Sequence, residues 1–366
     1  MQQEPSRITP VAADAPIATP THGGRAKCLQ RLVRLDLPVP RTVALSFDAV
    51  HDIAAGGVPD AEAILAGFPA DALLCVRPSS QDPDWGGPGA VLNIGMNDAR
   101  RAALAPVLGE TAAARLYLRF VQAYALQVAR LDPDLFERFE GDGPEALAEA
   151  LAVYEEEAEE PFPQDRAVQL AAVLRAMARA WEGTSARLLR QARGAPADAG
   201  LGLVVQEMAF GLGRGECGSG VLQLVSSETG EPRITGRYLR QSQGREALAD
   251  TEAALYLARD PRGPSLEEVA PGAFADLVAH ARHMREKLRE EMQVEFTLED
   301  GRVVILDGVR VARTPRAALR IAVALAEDGV LPREEALMRV EPGALSELLH
   351  RQVAPGARRN RLASGV

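Results

Sequence analysis

The feature that most constrains this chain is an apolar, strand-like run that leads into a glycine-dense loop. Residues 203–220 read LVVQEMAFGLGRGECGSG, and five of the last ten positions are glycine. Without a Cβ atom, successive backbone N–H groups can turn toward an anion and close around it. The spacing matches neither a P-loop, which needs a following Gly-Lys-Ser/Thr, nor a dinucleotide-binding fingerprint. The pattern therefore predicts either a loop that covers phosphates or a flexible hairpin tip.

The composition limits the class of protein and the partners that it can have. The chain has 366 residues, of which 47% are hydrophobic and 25% charged, which is enough for two or three packed units. A formal net charge of −10 disfavours broad attraction to nucleic acid or to an anionic membrane, so we expect neither as a partner. Three dispersed cysteines do not make a disulfide framework or a zinc site, and no apolar run approaches membrane-spanning length. We expect a cytoplasmic protein.

The N-terminal region contains a second candidate for phosphate binding. Residues 1–20 show no hydrophobic periodicity and predict a mobile leader. After Gly23 and Gly24, apolar residues at helical spacing predict a helix that begins near Arg25. Glycines before a helix N-terminus, with Arg25 and Lys27 just inside it, could hold a phosphate. The alternative is an ordinary helix start with two solvated basic side chains.

A basic residue also stands at the end of a predicted strand. Residues 72–76 predict a short apolar strand that runs directly into Arg77, and the segment after it, PSSQDPDWGGPGAVLNIGMND, predicts a long loop. A strand can fix a side chain while a mobile loop closes over its ligand. Arg77 is therefore a candidate ligand contact. The alternative is that Arg77 pairs with Asp82 or Asp84.

The middle of the chain is predicted to be helical. From residue 99 to about 193 the apolar residues recur at helical spacing, which predicts a helical insertion or cap whose core aromatics need no cofactor. Strands are predicted at 221–225 and 233–238, and a further helix at about 273–291.

Residues 292–310, MQVEFTLEDGRVVILDGVR, predict a β-hairpin whose register decides where two carboxylates lie. A two-residue Asp-Gly turn would put Glu295 and Asp307 on opposite faces. A three-residue Glu-Asp-Gly loop with a bulge at Gly301 puts Glu295 opposite Ile305, one diagonal step from Asp307. Two converging carboxylates would suit Mg²⁺, which prefers hard oxygen ligands. The alternative is a pair of exposed charges on a solvated sheet face.

Together these segments resemble the N-terminal ATP-binding domain of the pyruvate, phosphate dikinase and phosphoenolpyruvate synthase family, an ATP-grasp domain. The resemblance covers roughly residues 21–350. It rests on collinear motifs: GGRAKCL with LPVP, VRPSSQDPDWGGPGAVLNIGMND, RFVQAYA, VQEMAFG with the glycine loop, the turn TGE at 229–231, VEFTLEDG, and EDGVLPREEALMRVEPGALSELLH. The implied fold is α+β, with two subdomains around a nucleotide cleft and the glycine loop over the phosphates.

The resemblance also implies boundaries. We expect an N-terminal subdomain over 21–200 that includes the helical insertion, and a C-terminal subdomain over 201–312. A helical segment over 313–350 and a tail over 351–366 are expected to follow.

Site residues are implied in the same way. Arg77 matches the family's phosphate-contacting arginine and Glu295 its metal-binding glutamate, so both are candidate catalytic residues. Mg²⁺ is expected to bind Glu295 and Asp307. The residues expected to contact ATP are Arg25, Lys27, Arg77, Gln206, Glu207, Gly213, Gly215, Gly218 and Gly220.

Several positions depart from the family pattern. Arg25 stands where the family has a lysine, and Gln293 where it has an acid. Asp307-Gly308-Val309 replaces Gln-Thr-Arg, and Arg310 is one residue too late, which points its side chain to the opposite face of the strand. The missing arginine would have stabilised the transferring phosphoryl group, so the departures affect turnover more than nucleotide binding.

The family passes phosphate from ATP to a histidine on a separate domain, and then to pyruvate in a barrel. The Thr-Ser-His stretch that carries the phosphohistidine is absent from the sequence, and none of the five histidines matches it. We therefore do not expect a complete dikinase. The leading hypothesis is an ATP-dependent phosphotransferase component that phosphorylates a histidine of a partner protein or a small molecule. The alternative is a non-catalytic ATP or ADP sensor.

Overall fold

Two antiparallel sheets and the helices that cover them make up the fold. The computed structural model describes residues 7–136, 139, 141, 143–243 and 253–349. The strands in these ranges are β1 (Ile8–Pro10), β2 (Thr42–Leu45), β3 (Leu74–Ser80), β4 (Val91–Ile94), β5 (Leu201–Glu207), β6 (Gly218–Val225), β7 (Pro232–Arg240), β8 (Met292–Glu299) and β9 (Arg302–Arg310).

The helices lie mainly between and after these strands. They are α1 (Thr19–Arg34), α2 (Phe47–Ala54), α3 (Ala61–Leu65), α4 (Asp98–Leu108), α5 (Glu110–Tyr124), α6 (Pro133–Phe136), α7 (Pro144–Ala158), α8 (Arg166–Glu182), α9 (Thr184–Ala192), α10 (Leu266–Val269), α11 (Pro271–Leu288), α12 (Pro315–Glu327), α13 (Arg333–Met338) and α14 (Pro342–Leu349). Short 3₁₀ and π segments occupy Pro83–Trp85 and Ala125–Ala129. None of the helices in the described ranges has the length and apolarity that a bilayer-spanning helix requires.

The first sheet has the order β1-β2-β5-β3-β4, and every neighbouring pair is antiparallel. Strand β5 lies at its centre, between β2 and β3. Strand β5 thus belongs to the first sheet, whereas the expected boundary at residue 201 assigns it to the C-terminal subdomain. Strand β5 is hydrogen-bonded along both edges, to β2 and to β3. The chain therefore enters the second sheet only at β6.

The helical region follows the sequence prediction closely, and it packs on the first sheet. The described residues between 98 and 192 include the six helices α4 to α9. Their buried side chains, such as Phe120 and Trp181, belong to the same apolar cluster as Leu74 and Val76 of β3. Because they share this core, the helices are one layer of the first half rather than a separate cap.

The second sheet has the order β7-β6-β8-β9. Phe296 of β8 and Ile305 of β9 lie in a second apolar cluster with Leu277 of α11 and Leu29 of α1. Helix α1 therefore lies between the two halves, because it also packs against strands of the first sheet. Helices α12 to α14 follow β9, and Ile321 of α12 lies in a small apolar cluster with Val225 of β6 and Ala336 of α13.

The segment before α1 differs from the prediction of a mobile leader. Residues Ile8–Pro10 form β1, which pairs with β2, and Ile17 is buried in the second cluster. Gln30 on α1 donates a hydrogen bond to the carbonyl of Ala12. Backbone pairing and one buried apolar side chain thus hold residues 8–17, although the segment has no periodicity. Residues 1–6 of the expected leader and the expected tail at 351–366 lie outside the described residues.

Candidate functional site

Strand β3 positions Arg77. Alternation along the strand points Leu74 and Val76 into the first apolar cluster and puts Cys75 and Arg77 on the opposite face. The Arg77 side chain is only 12% exposed. Arg77 does not pair with Asp82 or Asp84; its partners come from β8 and β9, more than 200 positions along the chain.

The Gly23-Gly24 pair brings Arg25 close to Arg77. Gly23 has φ 84° and ψ 172°, so a first turn that starts at Thr19 is separated by a kink from the rest of α1. A Cβ on Gly23 would lie 1.7 Å from the carbonyl oxygen of Ser79, a contact that excludes any side chain. The predicted helix start near Arg25 corresponds to the segment after this kink. Because Gly23 approaches Ser79 so closely, the first helical turn after the kink, which contains Arg25, lies against β3.

The hairpin of β8 and β9 supplies two carboxylates. Glu299 pairs with Arg302 around a two-residue Asp300-Gly301 turn, with φ values of 51° and 75°. These values are typical of a type I′ turn. The predicted three-residue loop with a bulge at Gly301 is therefore wrong.

The bulge lies further along the hairpin. The register shifts between Glu295 and Phe296, because Phe296 pairs with Ile305 whereas Glu295 pairs with Asp307. Leu306 is thus the extra residue in β9, and it returns Asp307 to the face of Glu295. The two carboxylates lie directly opposite each other rather than one diagonal step apart.

Four charged side chains meet where β3, α1 and the hairpin come together. Arg77 Nη2 lies 2.5 Å from Glu295 Oε2 and 3.2 Å from Asp307 Oδ2. Arg25 Nε lies 2.6 Å from the same Asp307 oxygen. Arg77 Nη1 donates to the carbonyl of the bulged Leu306 at 3.1 Å. We call Arg25, Arg77, Glu295 and Asp307 the charge cluster.

Burial and charge act in opposite directions on the pKa values of this cluster. Burial alone would raise the pKa of Asp307, but the guanidinium groups of Arg25 and Arg77 hold it below its ordinary value. Burial alone would lower the pKa of Arg77. The attraction of the Asp307 and Glu295 carboxylates outweighs this effect of burial, so the pKa of Arg77 is raised. Both shifts favour the charged forms of Asp307 and Arg77.

The charge cluster lies in the wall of a cavity of about 780 Å³ between the two sheets. This volume falls within the range of small-molecule sites. Of the residues expected to contact ATP, the cavity lining includes Arg25, Arg77, Gln206, Glu207 and Gly220.

The other expected contacts lie elsewhere. Lys27 points away from the cavity and donates to the carbonyl of Ile17 and to Gln30 Oε1, both at 2.8 Å. Burial, Arg34 and Arg31 together lower its pKa. On a helix, a step of two residues turns the side chain well away from that of Arg25.

The predicted glycine loop does not cover this cavity. Gly213, Gly215 and Gly218 are not among the lining residues. A Cβ on Gly215 would lie 1.9 Å from Asp300 Oδ1, and one on Gly218 would lie 2.7 Å from the Tyr238 ring. In this arrangement these glycines permit close packing against the second sheet. They meet neither the cavity nor its charges.

A different glycine-rich segment lines the cavity. Gly86, Gly87 and Gly89 belong to the loop after β3, and all three are lining residues. The density of proline and glycine directly after Arg77 is a sequence signal for this loop, but its glycines were not among the expected ATP contacts. Cys28 also lines the cavity and was missed; burial and the nearby Asp307 raise the pKa of its thiol to about 12.

The arrangement does not fit the expected Mg²⁺ site on Glu295 and Asp307. The Asp307 side chain is 1% exposed; Oδ2 contacts both arginines, and Oδ1 accepts from the Gly308 N–H at 2.8 Å. A cation would have to displace two guanidinium groups to reach it. In the described part of the chain, no group of three or more His, Cys, Asp or Glu side chains is arranged to hold a metal ion.

Comparison with known proteins supports the resemblance seen in the sequence. No family model matches the chain. It is 34% identical to pyruvate, phosphate dikinase of Rhizobium meliloti (strain 1021) over 319 residues, which cover 80% of this chain and 35% of that protein. This chain is a relative of pyruvate, phosphate dikinase. The dikinase of Clostridium symbiosum is 30% identical over 304 residues, covering 78% of this chain and 34% of the enzyme.

The similarity covers most of this chain and a minor part of each dikinase. For the chloroplastic pyruvate, phosphate dikinase 1 of Oryza sativa subsp. japonica, 28% identity extends over 90% of this chain and 38% of the relative. The chain thus spans about a third of the length of the dikinases that it matches. The two antiparallel sheets with mixed helices agree with the α+β, ATP-grasp-like fold that the resemblance implies.

Proposed function

We propose that the chain binds ATP in the cleft between the two sheets, as the nucleotide-binding component of an ATP-dependent phosphotransferase. The observation that carries this proposal is the convergence of Arg25 and Arg77, from α1 and β3, in the wall of a cavity of nucleotide size. Guanidinium groups suit phosphate because their planar donors match its oxygens. The dikinase relatives support a phosphotransferase over other uses of such a cleft.

The rest of the lining suits a nucleoside. Leu92, Met208 and Ala209 give the cavity an apolar wall, and Gln206 supplies a polar group beside it. A base needs an apolar surface with a few fixed polar groups. We propose that the base lies near Met208 and that the phosphates point toward the charge cluster.

The phosphoryl acceptor is proposed to come from outside the cavity. No histidine is among the residues that line it in the described ranges. A histidine on a separate phosphohistidine protein or a small molecule would then enter beside the loop that contains Gly86, Gly87 and Gly89.

A non-catalytic nucleotide sensor is the second candidate, and one observation favours it. Val309 pairs with Gln293 in the hairpin and lines the cavity, at the position where the resemblance implies an arginine. Without the positive charge of that arginine, phosphates can still bind. The negative charge that develops on the phosphoryl group in the transition state is then less stabilised.

Thermal unfolding with and without ATP tests the binding proposal. A ligand at 100 times its dissociation constant stabilises the fold by about 2.7 kcal/mol. Arg77→Ala should reduce this shift strongly. Arg320→Ala, which breaks a surface ion pair with Glu231, should keep this shift, because neither residue lines the cavity. Equal unfolding temperatures with and without saturating ATP would refute nucleotide binding.

Labelled ATP separates the two candidate functions. Transfer of label from the γ or β phosphate to a candidate histidine-bearing protein would establish phosphotransfer. Tight binding without transfer or hydrolysis, with every acceptor offered, would leave the sensor.

A further inference from the structure

The cavity has no surplus of positive charge. Its described lining includes three arginines (Arg25, Arg77 and Arg310) and three carboxylates (Glu207, Glu295 and Asp307), so their formal charges cancel. Arg310 is turned to Glu290 at 3.1 Å, which leaves Arg25 and Arg77 as the cationic pair of the cleft. Both are already neutralised by Glu295 and Asp307. A cleft of this charge is unusual for a polyphosphate ligand, which needs cationic groups with unused donors.

Much of the donor capacity of the two arginines is also in use. Arg25 donates through Nε to Asp307 and through Nη1 to the carbonyl of Pro78. Arg77 donates through Nη1 to the carbonyl of Leu306 and through Nη2 to Glu295. A phosphate that enters the cleft must therefore share or displace these partners.

The two carboxylates differ in how easily they can be displaced. Asp307 is 1% exposed and is held by Arg25, by Arg77 and by the Gly308 N–H. The Glu295 side chain is 19% exposed, and Arg77 is its hydrogen-bond donor. Releasing Asp307 would leave a buried, unpaired charge, which costs far more than moving a partly exposed one. Asp307 is thus the fixed anion of the cluster.

We infer that Asp307 determines the charge preference of the cleft, because it occupies Arg25 and Arg77 in the way that a ligand phosphate would. The cleft then favours a nucleotide with fewer phosphates, such as ADP, over free ATP. A fixed carboxylate beside the phosphates repels each further negative charge of the ligand, so its effect grows with the number of phosphates.

Asp307→Asn tests this inference because it keeps the shape of the side chain and removes its charge. The inference rests on the proposed function only in the choice of nucleotide. Binding is measured by titration calorimetry for free ATP and ADP in EDTA, for ATP with excess Mg²⁺, and for inorganic tripolyphosphate. We expect Asp307→Asn to bind free ATP about tenfold more tightly than the wild type does. The gain should be smaller for ADP and for ATP with Mg²⁺, because both carry less negative charge than free ATP.

Asp328→Asn is the matched control. It removes the same charge from an aspartate that pairs with Arg285 at 2.7 Å, outside the cavity lining, and should leave all four affinities unchanged. The wild type provides a second measurement that does not depend on the folding of a variant. It should bind ADP more tightly than free ATP in EDTA, and the opposite order would overturn the inference.

The outcomes separate this inference from the proposed function. Equal binding of ATP by the wild type and the folded variant would overturn the inference and leave nucleotide binding intact. Tighter binding of tripolyphosphate by the variant, with no ATP binding by either protein, would support the inference and refute the nucleotide function. No binding of any ligand to any of the proteins would overturn both.

Discussion

Glu295 lies directly opposite Asp307 in the β8–β9 hairpin, although a regular ladder from the Asp300-Gly301 turn would pair Glu295 with Leu306. The extra residue in β9 corrects the alternation, so both carboxylates reach the same face. The bulged Leu306 then turns its carbonyl to Arg77. A single irregularity thus provides two of the three acceptors around that guanidinium group.

The turn of this hairpin gives the first prediction. Gly301 has φ 75° and open space around its Cα, so a side chain there meets backbone strain but no clash. We expect Gly301→Ala to lower the free energy of unfolding by about 1 kcal/mol. Gly272→Ala in α11, which also has open space but does not have a positive φ, should not destabilise the protein. Urea unfolding of both variants measures the difference, and equal values would contradict the type I′ turn.

The buried aspartate gives a prediction about pH. Because the folded-state pKa of Asp307 is lowered from 3.8, its contribution to stability is present above about pH 4 and is lost as the pH falls through the lower folded value. We expect the wild type to exceed Asp307→Asn by about 3 kcal/mol at pH 7, and the difference to shrink below about pH 4. Urea unfolding of the two proteins is measured from pH 7 to pH 3. A difference that grows on acidification would contradict the ion pairs.

A third prediction concerns Gly220, which lines the cavity and was expected to contact ATP. A Cβ on Gly220 would lie 2.3 Å from the carbonyl oxygen of Arg237 and 2.8 Å from the Phe296 ring. We expect Gly220→Ala to cost about 1–3 kcal/mol of stability even without nucleotide, because the strand is overpacked. Gly343→Ala, where a Cβ meets open space, is the control. If Gly220→Ala has wild-type stability and only nucleotide affinity falls, the glycine is a ligand contact rather than a packing requirement.

The fourth prediction addresses turnover. Val309 faces the cavity on the strand face of Asp307, so Val309→Arg would return a guanidinium group to the charge cluster. Loss of one charged or donor group of this kind typically costs about 10²–10³ in rate, and we expect Val309→Arg to recover up to about 10² in ATP hydrolysis. Val323→Arg on the exposed surface of α12 is the control for added charge. Unchanged hydrolysis in a variant that still binds ATP would favour the sensor.

Most of the secondary structure could be predicted from the sequence because it depends on local patterns. The helices over 98–192, the hairpin and the strand that contains Arg77 all follow from apolar spacing and turn residues. Position in the sheets could not be predicted in the same way. The apolar run 203–205 indicated a buried strand, but nothing local shows that β5 pairs with β2 and β3.

The site was predicted in part. The candidates Arg77, Glu295 and Asp307 do meet, but their pairing depends on residues 218 positions apart and on a bulge that no local signal marks. Lys27 was expected to contact ATP because the resemblance places a lysine near this position, whereas the helix turns it away. The glycine loop failed as a cavity contact because glycine also serves close packing, which composition cannot distinguish from phosphate binding.

The position of α1 limits how the cleft can move. Ala26 and Leu29 of this helix share an apolar cluster with α11 and the hairpin, while its kinked start is held against β3 by Ser79, whose hydroxyl accepts from the Ala26 N–H and donates to the carbonyl of His22. A wide rotation of one sheet against the other would have to expose those side chains to water or break the contact with β3. The packing of α1 would therefore oppose any change of the cleft that depends on such a rotation.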